Sequence, residues 1–431
     1  MGAMEAFLEA QGQAFDGALT ENDVTALFEA LDDVPFNGAQ LDDLLDPASG
    51  RTSYNAAFDF LPPVDLRQDF PEVSTLQPFS VVAERIRANI GSSDRYRVCN
   101  WVNSESFPSP ESALASFSSY QQARTAGRHS PHPDNRWFED MQFYSARAAA
   151  HVAANRSLAV AQEFKEALLE FADAGAALDG SALLGQDGKV IFSPDMAVAI
   201  QATTGVTLSY LLVEDQLDLT PDEMEAIETW LTRLFELYAD SYFARHQSGA
   251  VRDARAVELI GRAYMANALL TGNVERFNTG ADLVVRAISF TREDGSHRFG
   301  ASRGNRALWY QGVALTAALE DLLILESQDL PAREILAPTI GRMAGYLADA
   351  WQDNSVLWPY ARENNATFAN ADYREQDKLD VTPGLDMFFA LSPDHASVPA
   401  LQEVRALHPW DTLYSESFNT TCIAFALDQS S

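Results

Sequence analysis

Beyond residue 140, apolar residues recur at spacings of three and four with alanine filling the positions between them, and strand-like alternation is scarce. This periodicity predicts amphipathic helices over 140–154, 157–174, 193–213, 221–246, 254–271, 274–291, 303–327 and 332–353. The breaks between them carry their own chemistry. Leu-Thr-Pro-Asp at 219–222 reads as a helix start with proline in the first turn, and Thr-Gly-Asn at 271–273 as a stop. Links this short make successive helices antiparallel neighbours, and so many hairpins in one chain suggest an all-α closed toroid rather than a four-helix bundle. Before 140 the pattern is different. Residues 48–140 are rich in Pro, Ser, Asn and aromatics (FLPPVDL, ESFPSPES, RHSPHPDNRW) and read as irregular connections with short helices. Residues 1–60 hold twelve acids against one base, Arg51, with a short helix expected at 21–31 capped by Thr20. We therefore expect an acidic extension over 1–60 and a toroid domain over 61–431.

Charge narrows the function classes. The 431 residues include 30 Lys+Arg and 62 Asp+Glu, a net charge of −32, so phosphate neutralisation, the main source of nucleic-acid affinity, is missing. A 47% hydrophobic content is enough for large cores and argues against an acidic disordered chain. The longest apolar runs, LSYLLV at 208–213 and LTAALEDLLIL at 315–325, fall short of the roughly 20 residues of a membrane span, so no transmembrane helix is expected. Cys99 and Cys422 lie too far apart in sequence for a CxxC-type site, and the expectation is two buried free thiols. The opening MGAMEAFLEA lacks the basic and apolar regions of a signal peptide; Met-Gly-Ala-Met resembles a cloning remnant, which leaves room for a natural leader that has been removed. The Asp pairs near the start lack the ligand spacing and central glycine of an EF-hand.

One stretch runs against the acidic background. Between Arg245 and Arg306 ten arginines face six acids, an excess of four positive charges. Arg252, Arg255, Leu259 and Arg262 fall on one helical stripe, and Arg303, Arg306 and Tyr310 on another. Guanidinium matches carboxylate and phosphate in a planar fork, so two such faces could converge on one anion. Pairing of these arginines with Asp and Glu elsewhere is the alternative.

The segment DGSHRFGASRGNRALWYQ carries a signature, with Asp294, Gly295, Ser296, Arg303, Arg306, Ala307, Leu308 and Tyr310 in its positions. It resembles the alginate lyases that cleave poly-mannuronate inside an (α/α) toroid. The likeness continues through AYMANALLTGNVERFNTGADLVVRAI at 263–288 and IETWL at 227–231, and DTLYSESFNTT at 411–421, with Tyr414, resembles that family's closing segment. The resemblance implies β-elimination on a uronate polymer, with Tyr310 taking the C5 proton and returning it to the leaving oxygen, and Arg303 holding phenolate and substrate carboxylate. The chemistry asks for such residues, because a phenol of ordinary pKa about 10 becomes a usable base beside guanidinium charge.

The chain departs from the family where an Asn-His pair is expected, since Arg255 and Ala256 occupy those positions, and where a Glu is expected, since Gly300 stands there. Arg255 is expected to neutralise the carboxylate, with His297 or His246 as alternative sources of an imidazole; loss of activity is the third reading. Arg252, Arg306, His297, Arg298, Trp309, Arg136, Trp137 and Tyr414 are the expected substrate contacts. No metal or cofactor is expected, because His129 and His132 in HSPH lack a nearby third ligand. The partner is an anionic polysaccharide: alginate or a related polyuronate such as glucuronan. An inverting hydrolase, for which Glu139 and Asp140 would be candidate acids, and an inactive polyuronate binder stay as alternatives. A bacterial, periplasmic or secreted protein is expected, because polymeric uronates are met outside the inner membrane.

Overall fold

The computed structural model describes residues 66–90, 99, 136–178, 194–246, 254–301, 307–357, 383–406 and 418–428. The acidic stretch 1–60 with its expected helix at 21–31, the 60/61 boundary, His129 and His132 lie outside the described residues.

The longer helices are α1 (Val81–Ile90), α2 (Arg136–Asn155), α3 (Leu158–Asp173), α4 (Pro194–Val213) and α5 (Pro221–Phe235). A π turn, Glu236–Asp240, joins α5 to α6 (Ser241–His246), so the single helix expected over 221–246 is interrupted near its middle. Then come α7 (Ala254–Thr271), α8 (Val274–Ser289), the short α9 (Arg298–Ala301), α10 (Ala307–Glu326) and α11 (Ala332–Gln352). The last are α12 (Leu385–Leu391), α13 (Val398–Ala406) and α14 (Thr420–Ile423). The start signals work as read. Thr220 and Glu223 form a reciprocal capping box with Pro221 in the first turn, and the Asn273 side chain accepts from Arg276 N to begin α8.

Helices α2, α4, α7, α10 and α12 pack side by side as an inner layer, each of the first four backed by its following partner, α3, α5, α8 or α11. This is the (α/α) toroid expected from the hairpin pattern. Two sequence features sort helices between layers. In α8 the apolar residues Phe277, Val284 and Ile288 lie on a buried face, as suits an outer helix with one side in water. By contrast, α4 and α10 are apolar on nearly all sides, and most of their residues are buried. The segments Ala197–Gln216 and Ala307–Glu326 are long and apolar enough to cross a membrane by length and composition, which corrects the expectation drawn from run length. Most of each segment is buried against neighbouring helices within the toroid, which explains the composition.

The two ends of the described chain meet. Asn89 on α1 donates to the carbonyls of Phe425 (2.8 Å) and Asp428 (2.7 Å), and Arg333 on α11 donates to Leu427 O at 2.8 Å. Cys99 and Cys422 form a disulfide across a separation of 323 residues, with Cα atoms 5.0 Å apart. The free-thiol expectation is thereby corrected. Linear distance concealed a pair that the closing of the ring brings together.

Candidate functional site

The signature segment begins where α8 ends. Arg292 N bonds Ser296 O, Gly295 N bonds Arg292 O, and an isolated antiparallel bridge joins Thr291 to His297. Asp294 tightens this turn by accepting from both Ser296 N (2.9 Å) and Ser296 Oγ (2.7 Å). Gly295 has φ +89°, and a Cβ there would lie 1.9 Å from the Arg342 carbonyl on α11. Gly295 and Ser296 are therefore packed in a turn wedged against the outer layer, with Asp294 exposed at its edge.

Next comes α9, which touches α10 closely. A Cβ on Gly300 would sit 2.8 Å from Tyr310 O, Gln311 N and Gln311 Cα. The departure from the family's Glu at this position thus has a steric meaning in this chain: α9 rests directly on the backbone of the first turn of α10. In that turn Trp309 and Tyr310 are half-buried, with ring centroids 4.5 Å apart and planes tilted by 49°. Gln311, the next residue, is wholly buried; its Oε1 accepts from His297 N at 2.9 Å and its Nε2 donates to Gly295 O at 3.0 Å.

His297 does not supply a substrate-facing imidazole. Its ring is buried with Nε2 3.0 Å from the Ala287 carbonyl on α8. Burial, assisted by the nearby Arg292 charge, lowers its pKa to about 4, so the ring is neutral at ordinary pH. Arg298 is 9% exposed, with its guanidinium 5.3 Å from the centre of the Phe290 ring. It packs on the end of α8, which corrects its placement among the expected substrate contacts.

The stripe on α7 divides. Leu259 and Arg262 are buried; Arg262 is ion-paired with Glu258 (2.6 Å) and donates to Glu320 (2.8 Å), Asp321 (2.8 Å) and the Ala317 carbonyl (3.0 Å). For Arg262 the ion-pair alternative holds, and the expected convergence of the whole stripe on one anion does not. The quartet instead joins α7 to α10. Burial raises Asp321 to about 7 despite the opposing guanidinium. Arg255 lies in the first turn of α7, two helical turns before Arg262; its side chain lies outside the description, as do Arg252, Arg303, Arg306, Tyr414 and the side chains of Arg136, Trp137, Glu139 and His246.

Two features had no sequence signal. Tyr264 on α7 donates to Asp240 in the π turn at 2.7 Å, and its ring meets the rings of Phe235 and Phe243 edge-on at 5.1 Å each. Burial and the Asp240 carboxylate push this phenol well above the ordinary tyrosine range. Glu214, at the end of α4, is pushed up to about 7 by burial and by the Glu228 charge. Among the described residues no three His, Cys, Asp or Glu side chains are grouped to hold a metal ion.

Comparison with known proteins now bears on this geometry. Residues 192–358 match the alginate lyase family. That span contains the turn, α9, α10 and the Arg262 quartet. No curated protein sequence matches the chain. Among solved structures, alginate lyase A1-III from Sphingomonas species A1 is similar with a TM-score of 0.56 and 15% identity, over 82% of this chain and 97% of that one. A tyrosine-to-phenylalanine variant of A1-III complexed with tetrasaccharide gives 0.53 and 14%, over 83% and 98%. A histidine-to-alanine variant complexed with tetrasaccharide gives 0.54 and 14%, over 82% and 97%. At such identity the structures speak for the fold, an (α/α) toroid, and within it residues 192–358 are similar to the alginate lyase family.

Proposed function

We propose that this alginate-lyase-like polysaccharide lyase cleaves an anionic uronate polymer, alginate or a related polyuronate, by β-elimination at Tyr310. The observation that supports this reading is the half-buried Tyr310 in the first turn of α10, backed by α9 and flanked in sequence by Arg303 and Arg306, within the span that matches the family. In this mechanism Arg255 and Arg303 neutralise the C5 carboxylate, which acidifies the C5 proton. The Tyr310 oxygen takes that proton and delivers it to the glycosidic oxygen as the C4–O bond breaks, leaving a C4=C5 double bond in the new non-reducing end. Arg255 replaces an amide with a cation, and guanidinium binds carboxylate more strongly. Arg252, Arg306, Trp309, Arg136, Trp137 and Tyr414 are proposed substrate contacts; His297 and Arg298 leave that set on the geometry above. Tetrasaccharide is the ligand in the A1-III variant complexes, and an oligomeric uronate is the corresponding substrate here.

An exported, bacterial protein fits this substrate, and the Cys99–Cys422 disulfide supports an oxidising compartment. The hydrolase alternative gains little from the structure. Glu214 has a raised pKa, but it follows the C-terminal end of α4, whereas Tyr310 stands at the N-terminal end of α10. Inner helices separated by one antiparallel partner run parallel, so these are opposite ends of the toroid.

The test is the appearance of UV-absorbing unsaturated uronate from alginate fractions and glucuronan. Tyr310→Phe keeps the ring and removes the hydroxyl, and turnover should fall roughly hundredfold or more. New reducing ends without unsaturation would indicate a hydrolase; full turnover in Tyr310→Phe would sink the elimination mechanism.

A further inference from the structure

Gln311 follows Tyr310 directly, and no part of its side chain reaches solvent. A buried amide is costly unless its polar atoms are used, so the partners reveal what the residue is for. Here every partner is a backbone group. Oε1 accepts from His297 N (2.9 Å), while Nε2 donates to Gly295 O (3.0 Å) and, more weakly, to Met343 O on α11 (3.4 Å). The turn that receives two of these bonds is already pressed against α11, since Gly295 leaves no room for a side chain beside Arg342 O. Past the turn, Ala301 N bonds His297 O at 2.8 Å, and Gly300 lies on the backbone of Tyr310 and Gln311. Two contacts therefore anchor the 295–301 segment to the one helical turn that carries Tyr310.

We propose that Gln311 is a positioning residue for the Tyr310 site, locking the 295–301 segment against the start of α10; the proposal rests on the lyase reading above. It acts through backbone groups of Gly295 and His297 and touches no reacting atom. Gly300 completes the lock from the other side, because its missing side chain sets how closely α9 lies on Tyr310.

The experiment uses the full chain with Gln311→Glu, which keeps the acceptor for His297 N and exchanges the amide's two N–H donors for at most the single O–H of a protonated carboxyl; Gln311→Met, which loses both; and Gly300→Ala, which pushes on the same contact from α9. Each is assayed for unsaturated uronate at a temperature where circular dichroism shows it folded, so that rate is expressed per folded molecule. Displacement by about 1 Å should lower kcat by up to roughly 10²-fold. KM should move by less than about threefold, so that the loss falls on kcat. If Gln311→Met does not fold, the other two variants decide. Variants with a lowered melting temperature but wild-type kcat and KM per folded molecule would overturn the positioning role, since that is what a merely structural contact gives. An active wild type, an inactive Tyr310→Phe and fully active Gln311 variants would remove this inference and leave the lyase reading standing. A wild type that forms no unsaturated product overturns both.

Discussion

Replacing Arg262 with methionine removes the guanidinium that Glu258, Glu320 and Asp321 share and leaves three carboxylates in the wall between α7 and α10. Two routes to the cost agree. Removing one partner of a buried ion pair destabilises by about 3–5 kcal/mol. Alternatively, at least one further carboxylate must become protonated in the folded variant; at pH 7.5 this takes roughly 3.5 pH units relative to an unfolded carboxylate near 4, or about 5 kcal/mol per proton. The second route makes the cost depend on pH. A carboxyl whose folded pKa is raised, as Asp321 already is, stabilises at pH below its unfolded value and loses that contribution as pH climbs through the folded one. The variant should therefore lose about 4–5 kcal/mol at pH 7.5 but only about 1–2 kcal/mol at pH 5. Urea unfolding at the two pH values, with equal m-values as a check on two-state behaviour, gives the comparison. A loss under about 1 kcal/mol at pH 7.5, or an equal loss at both values, would refute the reasoning.

Arg255→Asn restores the amide of the family pattern without its histidine partner, and kcat/KM on polyuronate should fall at least about tenfold; an unchanged value would place carboxylate neutralisation on another residue. Cys422→Ser opens the clasp between Cys99 and the C-terminal helix, and the chain-entropy argument for so long a loop sets a loss of up to roughly 5 kcal/mol, read as a fall in melting temperature that dithiothreitol reproduces in the wild type and not in the variant. His297→Leu addresses acid stability. The depressed folded pKa near 4 means that neutral His297 favours folding above about pH 6.5 and that this contribution drains away as pH falls toward 4, up to roughly 3 kcal/mol. The wild type should therefore lose stability relative to the variant across that window, and parallel stability curves would show that the ring does not titrate as placed.

Outer helices such as α8 were readable because a helix with one side in water needs one apolar face, and the three-and-four spacing records that need residue by residue. Thr220 with Glu223 and Asn273 marked starts through side chains that bond their own helix's first amides, a local transaction that leaves a local trace. Along 294–310 the motif located the candidate site, yet it did not separate its members. Gly295 and Ser296 belong to a packed turn with Asp294 exposed at its edge, His297 and Arg298 turn toward α8, and Tyr310 is half-buried.

Spacing in sequence therefore determined the helices, their hairpin succession and the arginine-bearing stretch around Tyr310. Partner choice was decided by the tertiary structure. In the sequence Arg252, Arg255 and Arg262 fall on one stripe, but two of the three carboxylates that claim Arg262, Glu320 and Asp321, come from α10, 58 and 59 residues away. Cys99 finds Cys422 only because the ring of helices closes. Periodicity reports which face of a helix is buried; it carries no information about which distant helix covers that face, and the charge, burial and bonding of each polar side chain follow from that second fact.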